Sequence, residues 1–202
     1  MDRALRAAQG VFLAADSLRA RVDAIRAARV ESGPPTDESS AGVFIRLSDL
    51  LCEIGGDDAA RELVVLLGYD DPGVRVAAAE NLVEMGFERY VEVARAMEEC
   101  VERGTDTTAL SEIPFVLAEL GEPGGVKICV RLLKHRDGDV VGAAVEALAE
   151  LGDPSVTSAL VPLRADTRTL AADDDDPNQA GPVTVGDLVE EALEILAEHG
   201  AR

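Results

Sequence analysis

The sequence predicts an all-α fold, an α-solenoid of about four helical hairpins. The pattern Leu-x-Glu-x-Gly occurs five times, and its glycines are separated by 31, 35, 31 and 48 residues. Before most of these patterns, apolar residues recur at three- and four-residue steps, which is the spacing of one helix face. Because a hairpin cannot bury its apolar faces alone, we expect the hairpins to stack into a continuous core.

Each Leu-x-Glu-x-Gly pattern is typical of the end of a helix. The leucine packs inward, and the glycine takes the left-handed conformation that closes a helix. The five patterns end at Gly55, Gly86, Gly121, Gly152 and Gly200. We therefore predict that a helix stops at each of these glycines.

The helix that precedes the second glycine illustrates how the first helix of a hairpin begins. Asp71 can cap it, and Pro72 can occupy its first turn. The apolar face that follows consists of Val74, Ala78, Leu82 and Met85. The equivalent helix of the fourth pattern is expected behind Asp137 or Asp139.

A second helix is expected to begin within two or three residues of each glycine, and the one near residues 88–103 is expected to be longer than its counterparts. The signals that start it are Asp57 or Asp58, Pro123, and Asp153 with Pro154. Two further prolines fall inside predicted helices. Pro114 should bend its helix, and Pro162 should shorten its own.

The two ends of the chain depart from the repeat. Residues 2–30 are predicted to form one long helix with six arginines and three aspartates, so its net charge is +3. We interpret residues 1–30 as a cap that covers the first hairpin and pairs with acidic neighbours, and a docking element is the alternative. Residues 31–40 are predicted to be a polar linker.

The repeat domain is predicted to cover residues 41–200. It contains an acidic insertion at 166–185, followed by a lone C-terminal helix over 187–199. Four adjacent aspartates, residues 173–176, lie in the insertion. They lack the alternating ligands and central glycine of a calcium loop, so we interpret them as a solvated loop.

Residues 70–86, with the sequence DDPGVRVAAAENLVEMG, resemble the first helix of a HEAT repeat of the bilin-lyase type. Residues 137–166 are similar to a whole repeat of this kind. The resemblance covers roughly residues 39–165 and the last helix. It implies HEAT-like hairpins, a fold that serves scaffolds, adaptors, chaperones, lyases and a few enzymes.

The composition argues against several classes of function. With 19 basic and 39 acidic residues the net charge is −20, which opposes general binding to nucleic-acid phosphates, and tryptophan is absent. Cys52, Cys100 and Cys129 lack metal-binding spacing and fit helical core positions. No export signal or apolar run of bilayer length is evident, so we expect a cytoplasmic protein without a membrane partner.

The sequence offers no convincing catalytic set. His135 and His199 are the only histidines, and we interpret them as a cation at a helix C-terminus and a terminal surface residue. HEAT-like iron hydroxylases depend on His-Glu pairs, and this chain has no His-Glu dipeptide. We expect no enzymatic activity, no cofactor and no metal site.

Recognition of a partner protein is the function that remains, through the surface of the second helices. Lys127, Arg131 and Lys134 lie at four- and three-residue steps and should share a helical face. We hypothesise that six basic residues bind an acidic segment of a partner: Arg61, Arg95, Lys127, Arg131, Lys134 and Arg164. The equally open alternative is that these side chains pair with neighbouring glutamates.

Two other functions stay open. The chain could be an assembly factor, lyase-like or chaperone-like, that holds a prosthetic group or a client subunit in a deep apolar groove. It could also be a specific inhibitor or immunity protein whose acidic face blocks a basic partner.

Overall fold

The computed structural model describes residues 17–104, 106–171 and 182–200. Regular secondary structure in these ranges is helical, apart from an isolated antiparallel bridge between Thr169 and Thr184. The predicted all-α, solenoid-type fold class is thereby confirmed. The chain divides into two compact units, Met1–Glu112 and Ile113–Arg202.

Among the first four helices of the first unit, each packs against the next helix in sequence and, in two cases, against the helix after that. They are α1 (Leu18–Ser32), α2 (Glu38–Ile54), α3 (Asp57–Leu67) and α4 (Pro72–Arg103), and α5 (Thr107–Leu120) begins in this unit. Helix α1 packs against α2 and α3, and α4 packs against the same two helices. The side chains that these contacts bury completely include Phe44, Leu51, Leu63, Leu82 and Met97.

The helix that contains the second half of the predicted N-terminal helix begins at Leu18, and residues 1–16 of that prediction lie outside the described ranges. Ser17 has an extended backbone, with φ −138° and ψ 150°, and its hydroxyl accepts a hydrogen bond from the N–H of Ala20. The prediction of one unbroken helix over residues 2–30 is therefore wrong at Ser17, because a serine in this conformation caps a new helix. Helix α1 then continues to Ser32 and α2 begins at Glu38, which leaves a connection shorter than residues 31–40.

The second unit contains the end of α5 and the remaining helices. These are α6 (Pro123–Leu132), α7 (Gly138–Leu151), the short α8 (Thr157–Leu160) between 3₁₀ turns Pro154–Val156 and Val161–Leu163, and α9 (Val185–Gly200). Helix α7 packs against α6 and α9, and α9 also packs against α8 and its flanking turns. The brief α8 confirms that Pro162 shortens its helix, whereas α5 continues through Pro114.

Aspartates cap the first helices of the hairpins as predicted. The carboxylate of Asp71 accepts a hydrogen bond from the N–H of Val74, 3.1 Å away, at the start of α4. At the start of α7 the cap is Asp137, which accepts from the N–H of Asp139 at 3.0 Å. The structure therefore selects Asp137 from the two candidates.

Three of the predicted glycine stops are confirmed. Gly55, Gly121 and Gly152 follow α2, α5 and α7 with φ of 66°, 65° and 66°. Each is followed within two residues by an aspartate or proline that starts the next helical segment. Glycine closes these helices because it adopts positive φ without the steric cost that a Cβ imposes.

The stop predicted at Gly86 lies three residues too early. Gly86 is buried and helical, and α4 consists of two helical segments that meet across a kink at Arg89 and end at Arg103, as the expected second helix does. Phe87 and Glu88 are neither prolines nor side chains that cap a helix well, so the first segment continues past Gly86. The chain kinks three residues later, where Arg89 has φ −136° and ψ 43°.

The last helix extends beyond its predicted limits, because it begins at Val185 and reaches Gly200. Its start lies very close to the segment after α8. The N–H of Gly186 donates to the carbonyl of Asp166 at 3.0 Å, and a Cβ at this glycine would lie 2.7 Å from the carbonyl oxygen of Arg164. Within the acidic insertion, residues 172–181 and their four aspartates lie outside the described ranges.

Candidate interaction surfaces

Arg61 and Arg95, the two predicted site residues of the first unit, take part in ion pairs between α3 and α4. Both Nε and Nη2 of Arg61 donate to the carboxylate of Glu99, at 2.7 and 2.9 Å, and its Nη1 lies 3.1 Å from Asp58. Arg95 donates to Asp57 at 2.7 Å. The hydrogen bonds that Arg61 donates to Glu99 lower the pKa of Glu99 and raise the pKa of Arg61. For these two arginines the structure shows the pairing that the sequence left open.

A buried carboxylate links α1 to α3. Glu62 is only 5% exposed, and its two oxygens accept hydrogen bonds from Nε of Arg26 and Nε of Arg29. Arg29 also donates to the hydroxyl of Tyr69 at 3.4 Å. The hydrogen bond to Glu62 raises the pKa of Arg26. Pairing of this kind is what the interpretation of α1 as a cap requires.

Helix α6 and the turn after it carry a basic patch, which we define as Lys127, Arg131, Lys134 and Arg136. All four side chains are exposed, and residues 123–136 contain no aspartate or glutamate. Lys127 and Lys134 form no ion pair with any residue that the structure describes. The sequence analysis missed Arg136, although the absence of acidic residues over the stretch 123–136 that ends with it is a signal that a sequence shows.

The predicted common helical face of this patch holds only in part. Helix α6 ends at Leu132, so Lys127 and Arg131 share one of its faces. Lys134 lies in the following turn, where its N–H donates to the carbonyl of Arg131 at 3.3 Å.

The remaining site residue, Arg164, lies after the turn that follows α8. Its Nη2 is 3.1 Å from a carboxylate oxygen of Glu190 on α9, and both side chains are about half exposed. The hypothesised set is thus distributed over both units, with Arg61 and Arg95 in the first and the others in the second. The structure brings Arg61 and Arg95 close to the same carboxylate, Glu99, between α3 and α4. It places Lys127, Arg131 and Lys134 on α6 and the turn after it.

A groove that the sequence analysis missed lies between α7 and α9. Its volume is about 280 Å³, and its walls carry Glu146, Glu150 and Glu191. Partial burial raises the pKa of Glu146, and the neighbouring carboxylate of Glu191 raises it further. The periodic spacing of glutamates on both helices is visible in the sequence, but their convergence depends on how the helices pack.

The described ranges contain few side chains that are arranged for catalysis or metal binding. No group of three or more His, Cys, Asp or Glu side chains there could hold a metal ion. Cys100 and Cys129 are buried, as predicted, while Cys52 is half-buried. Burial raises the pKa of Cys129 to about 12, so this residue is a thiol at neutral pH and a poor nucleophile.

The two histidines have different surroundings. Nδ1 of His135 accepts a hydrogen bond from the N–H of Asp137 at 3.2 Å. His135 follows the end of α6, where the sequence places it. His199 is exposed near the end of α9, as predicted.

Among the described residues, no helix combines the length and apolarity that a bilayer crossing requires.

Comparisons with known proteins concern the repeat. The family model for HEAT repeats matches residues 103–173, a segment that includes α5 to α8 and the basic patch. Two crystal structures of engineered proteins are similar at 21% and 22% identity, with TM-scores of 0.40 and 0.39. Each alignment covers 98% of this chain, with 98% of the first engineered protein and 100% of the second. No curated protein matches the chain. Residues 103–173 are therefore similar to HEAT repeats.

Proposed function

We propose that this chain is a non-catalytic protein-binding module whose basic patch contacts an acidic segment of a partner protein. The observation that carries the proposal is the state of Lys127 and Lys134, which are exposed and form no ion pair with the described residues. The segment that bears them matches HEAT repeats, and stacked helical repeats commonly present extended binding surfaces. The three cysteines are free, which agrees with the further proposal of a cytoplasmic location.

Electrostatics explains why such a patch is suited to selective binding. Each exposed ion pair contributes only about 0–1 kcal/mol, but several cations together guide an acidic segment to one place and set its orientation. The chain as a whole has a net charge of −20 and repels the same segment elsewhere. The basic patch is thus a local exception on an acidic molecule.

Arg61, Arg95 and Arg164 have a weaker claim to the binding surface. Each already pairs with a carboxylate of its own unit. To contact a partner they must exchange one carboxylate for another, and such an exchange contributes little net free energy. We therefore place the main contacts at Lys127 and Lys134 of the basic patch.

The test is affinity capture from a native lysate, followed by mass spectrometry, with the wild type and a Lys127→Glu, Lys134→Glu double variant. The matched control is Arg19→Glu, Arg46→Glu, which changes the net charge equally at two exposed arginines outside the patch. We expect a partner that the wild type and the control retain and the patch variant loses. Equal retention by all three proteins, each folded by circular dichroism, contradicts the proposal.

The proposal of a tetrapyrrole-holding assembly factor has less support. It needs a deep apolar groove, whereas the groove between α7 and α9 measures about 280 Å³ and has carboxylates on its walls. Small-molecule sites usually occupy about 300–1,000 Å³ and are mostly apolar. The absorbance spectrum of an added tetrapyrrole, with and without the protein, tests this alternative directly.

A further inference from the structure

The groove between α7 and α9 combines an apolar floor with acidic walls, and we name it the acidic groove. Its floor consists of Ala149, Leu188, Ala192 and Ile195, its walls carry Glu146, Glu150 and Glu191, and His199 lies at one end. Alanines on both helices leave the hollow of about 280 Å³ between them, and Ile195 is 37% exposed there. An exposed apolar surface inside a hollow favours occupation by an apolar side chain.

The ionisable side chains that line the acidic groove are carboxylates, apart from His199. Neither α7 nor α9 contains a lysine or an arginine, and together they carry eight carboxylates. Glu146, Glu150 and Glu191 form no ion pair within the described ranges. The only other ionisable group on the lining is His199, whose Nδ1 bonds to the carbonyl of Ile195.

Carboxylates in this position repel one another without compensation from the chain. Glu146 and Glu191 are close enough for this repulsion, together with partial burial, to raise the pKa of Glu146. A ligand cation between them would relieve the repulsion, and an anionic ligand would increase it. The groove therefore selects a ligand that is apolar at its centre and positively charged at its edges.

We propose that the acidic groove binds a basic amphipathic helix of a partner protein. One large apolar side chain of that helix fills the hollow, and lysines or arginines one turn away pair with Glu146, Glu150 and Glu191. A helix is suited to this task because residues three and four positions apart lie on the same face. This surface is distinct from the basic patch and opposite to it in charge, so the chain would join two different partners.

The test uses a fluorescently labelled synthetic helix of leucines and lysines in amphipathic order, titrated with the full chain and followed by anisotropy. The groove variant is Glu146→Gln, Glu191→Gln, and the matched control is Glu194→Gln, Glu198→Gln, which removes equal charge from α9 outside the lining. We expect the groove variant to weaken binding about tenfold, and the control to change it by less than about twofold.

A second probe separates groove binding from general attraction to an acidic protein. It is the same helix with its leucines replaced by serines, which keeps the charge and removes the apolar face. We expect it to bind about tenfold more weakly to the wild type. Equal affinity of the two probes, or equal weakening by the groove and control variants, overturns the proposal.

Two other occupants give different results, and each overturns the proposal. If a second copy of this chain fills the acidic groove, Ile195→Glu converts a dimer into a monomer in light scattering. If residues 1–16 fill it, their deletion strengthens binding of the leucine probe. We expect the Lys127→Glu, Lys134→Glu variant to keep its affinity for the leucine probe. Failure of the acidic-groove proposal can therefore be distinguished from failure of the basic-patch proposal.

Discussion

Glu62 illustrates how strongly one side chain can determine local stability. Two arginines of α1 donate to its buried carboxylate, and the contact joins α1 to α3. We expect Glu62→Ala to lower the free energy of unfolding by about 2 kcal/mol, because it removes two charge-assisted hydrogen bonds and leaves Arg26 with Asp23 and Arg29 with Tyr69 as their remaining partners.

Urea denaturation measures this effect. The matched control is Glu53→Ala on α2, where an exposed glutamate is removed and a change below about 0.5 kcal/mol is expected. Similar losses in the two variants would show that the link between Glu62 and α1 contributes nothing specific.

Asp37 at the start of α2 provides a prediction about pH. Hydrogen bonds from Ser40, first from its backbone N–H, lower the pKa of this carboxyl in the folded chain. The charged form is thus favoured by folding, and its contribution is present above the unfolded value near pH 4 and lost as the pH falls through the lower folded value. Asparagine also caps helices but does not titrate, so Asp37→Asn should reduce the loss of stability on acidification.

Chemical denaturation at a series of pH values from about 6 to about 2.5 measures this slope. The wild type should lose stability more steeply than Asp37→Asn at the acidic end, while the two remain similar near neutrality. Parallel curves would mean that the capping carboxylate of Asp37 does not couple folding to proton binding.

At the residue scale the sequence predicts the roles that depend on near neighbours. Asp71 and Asp137 are caps because the backbone N–H groups that donate to them are at most three residues away, and turn chemistry of this kind is local. Glu62 could not be singled out in the same way. Its arginine partners are 33 and 36 residues distant in the chain. The sequence around Glu62 does not distinguish it from the many glutamates that are exposed.

At the element scale, alanine substitutions at two glycines measure the free energy that a non-glycine residue loses at positive φ. Gly121 closes α5 with φ 65°, Gly42 lies within α2, and a Cβ at either would have no heavy atom within 4 Å. We expect Gly121→Ala to destabilise the fold by about 1 kcal/mol, because alanine is strained at positive φ. Gly42→Ala should instead stabilise it by about 0.5–1 kcal/mol through helix propensity.

Opposite signs in denaturant titrations of the two variants would confirm that the Leu-x-Glu-x-Gly pattern stops this helix through backbone conformation. A loss in both variants would contradict this explanation and point to packing instead.

The sequence predicts a helix end correctly where the closing glycine is followed by a residue that begins a new helix. Gly55, Gly121 and Gly152 precede a new aspartate or proline, and each closes a helix. Gly86 belongs to the same pattern but has no such successor, and the break between the two segments of α4 lies at Arg89, three residues beyond it. A glycine by itself permits a helix to end, and a cap or proline after it makes the new direction favourable.

At the scale of the whole molecule, the net charge of −20 should make folding sensitive to salt. Carboxylates of the compact chain repel one another over a screening length that shrinks from about 30 Å at 0.01 M to about 8 Å at 0.15 M salt. We therefore expect the midpoint of thermal unfolding to rise over this range. Circular dichroism at 222 nm, the helical band, measures it.

The Arg19→Glu, Arg46→Glu variant supplies the comparison. Each substitution changes the charge by −2, so the net charge becomes −24, and the rise with salt should be steeper. A midpoint that falls with salt would show that screened ion pairs outweigh the repulsion.

The fold class could be predicted from the sequence because a repeated local pattern determines it, while the interaction surfaces could not. Ion pairs between the helices of the first unit join residues 33 to 38 positions apart, about one repeat. Whether a given arginine faces solvent or a glutamate depends on the packing of neighbouring repeats. The same dependence hid the acidic groove, which exists only where α7 meets α9.

Site-specific photo-crosslinking tests the central claim most directly. A benzophenone side chain replaces Lys127 in one protein and Arg46 in another, each is irradiated in native lysate, and the crosslinked peptides are sequenced. The account predicts that position 127 crosslinks to aspartate- and glutamate-rich peptides of one partner and that position 46 does not. If both positions capture the same peptides, or if those at position 127 are not acidic, the basic patch is not a recognition surface.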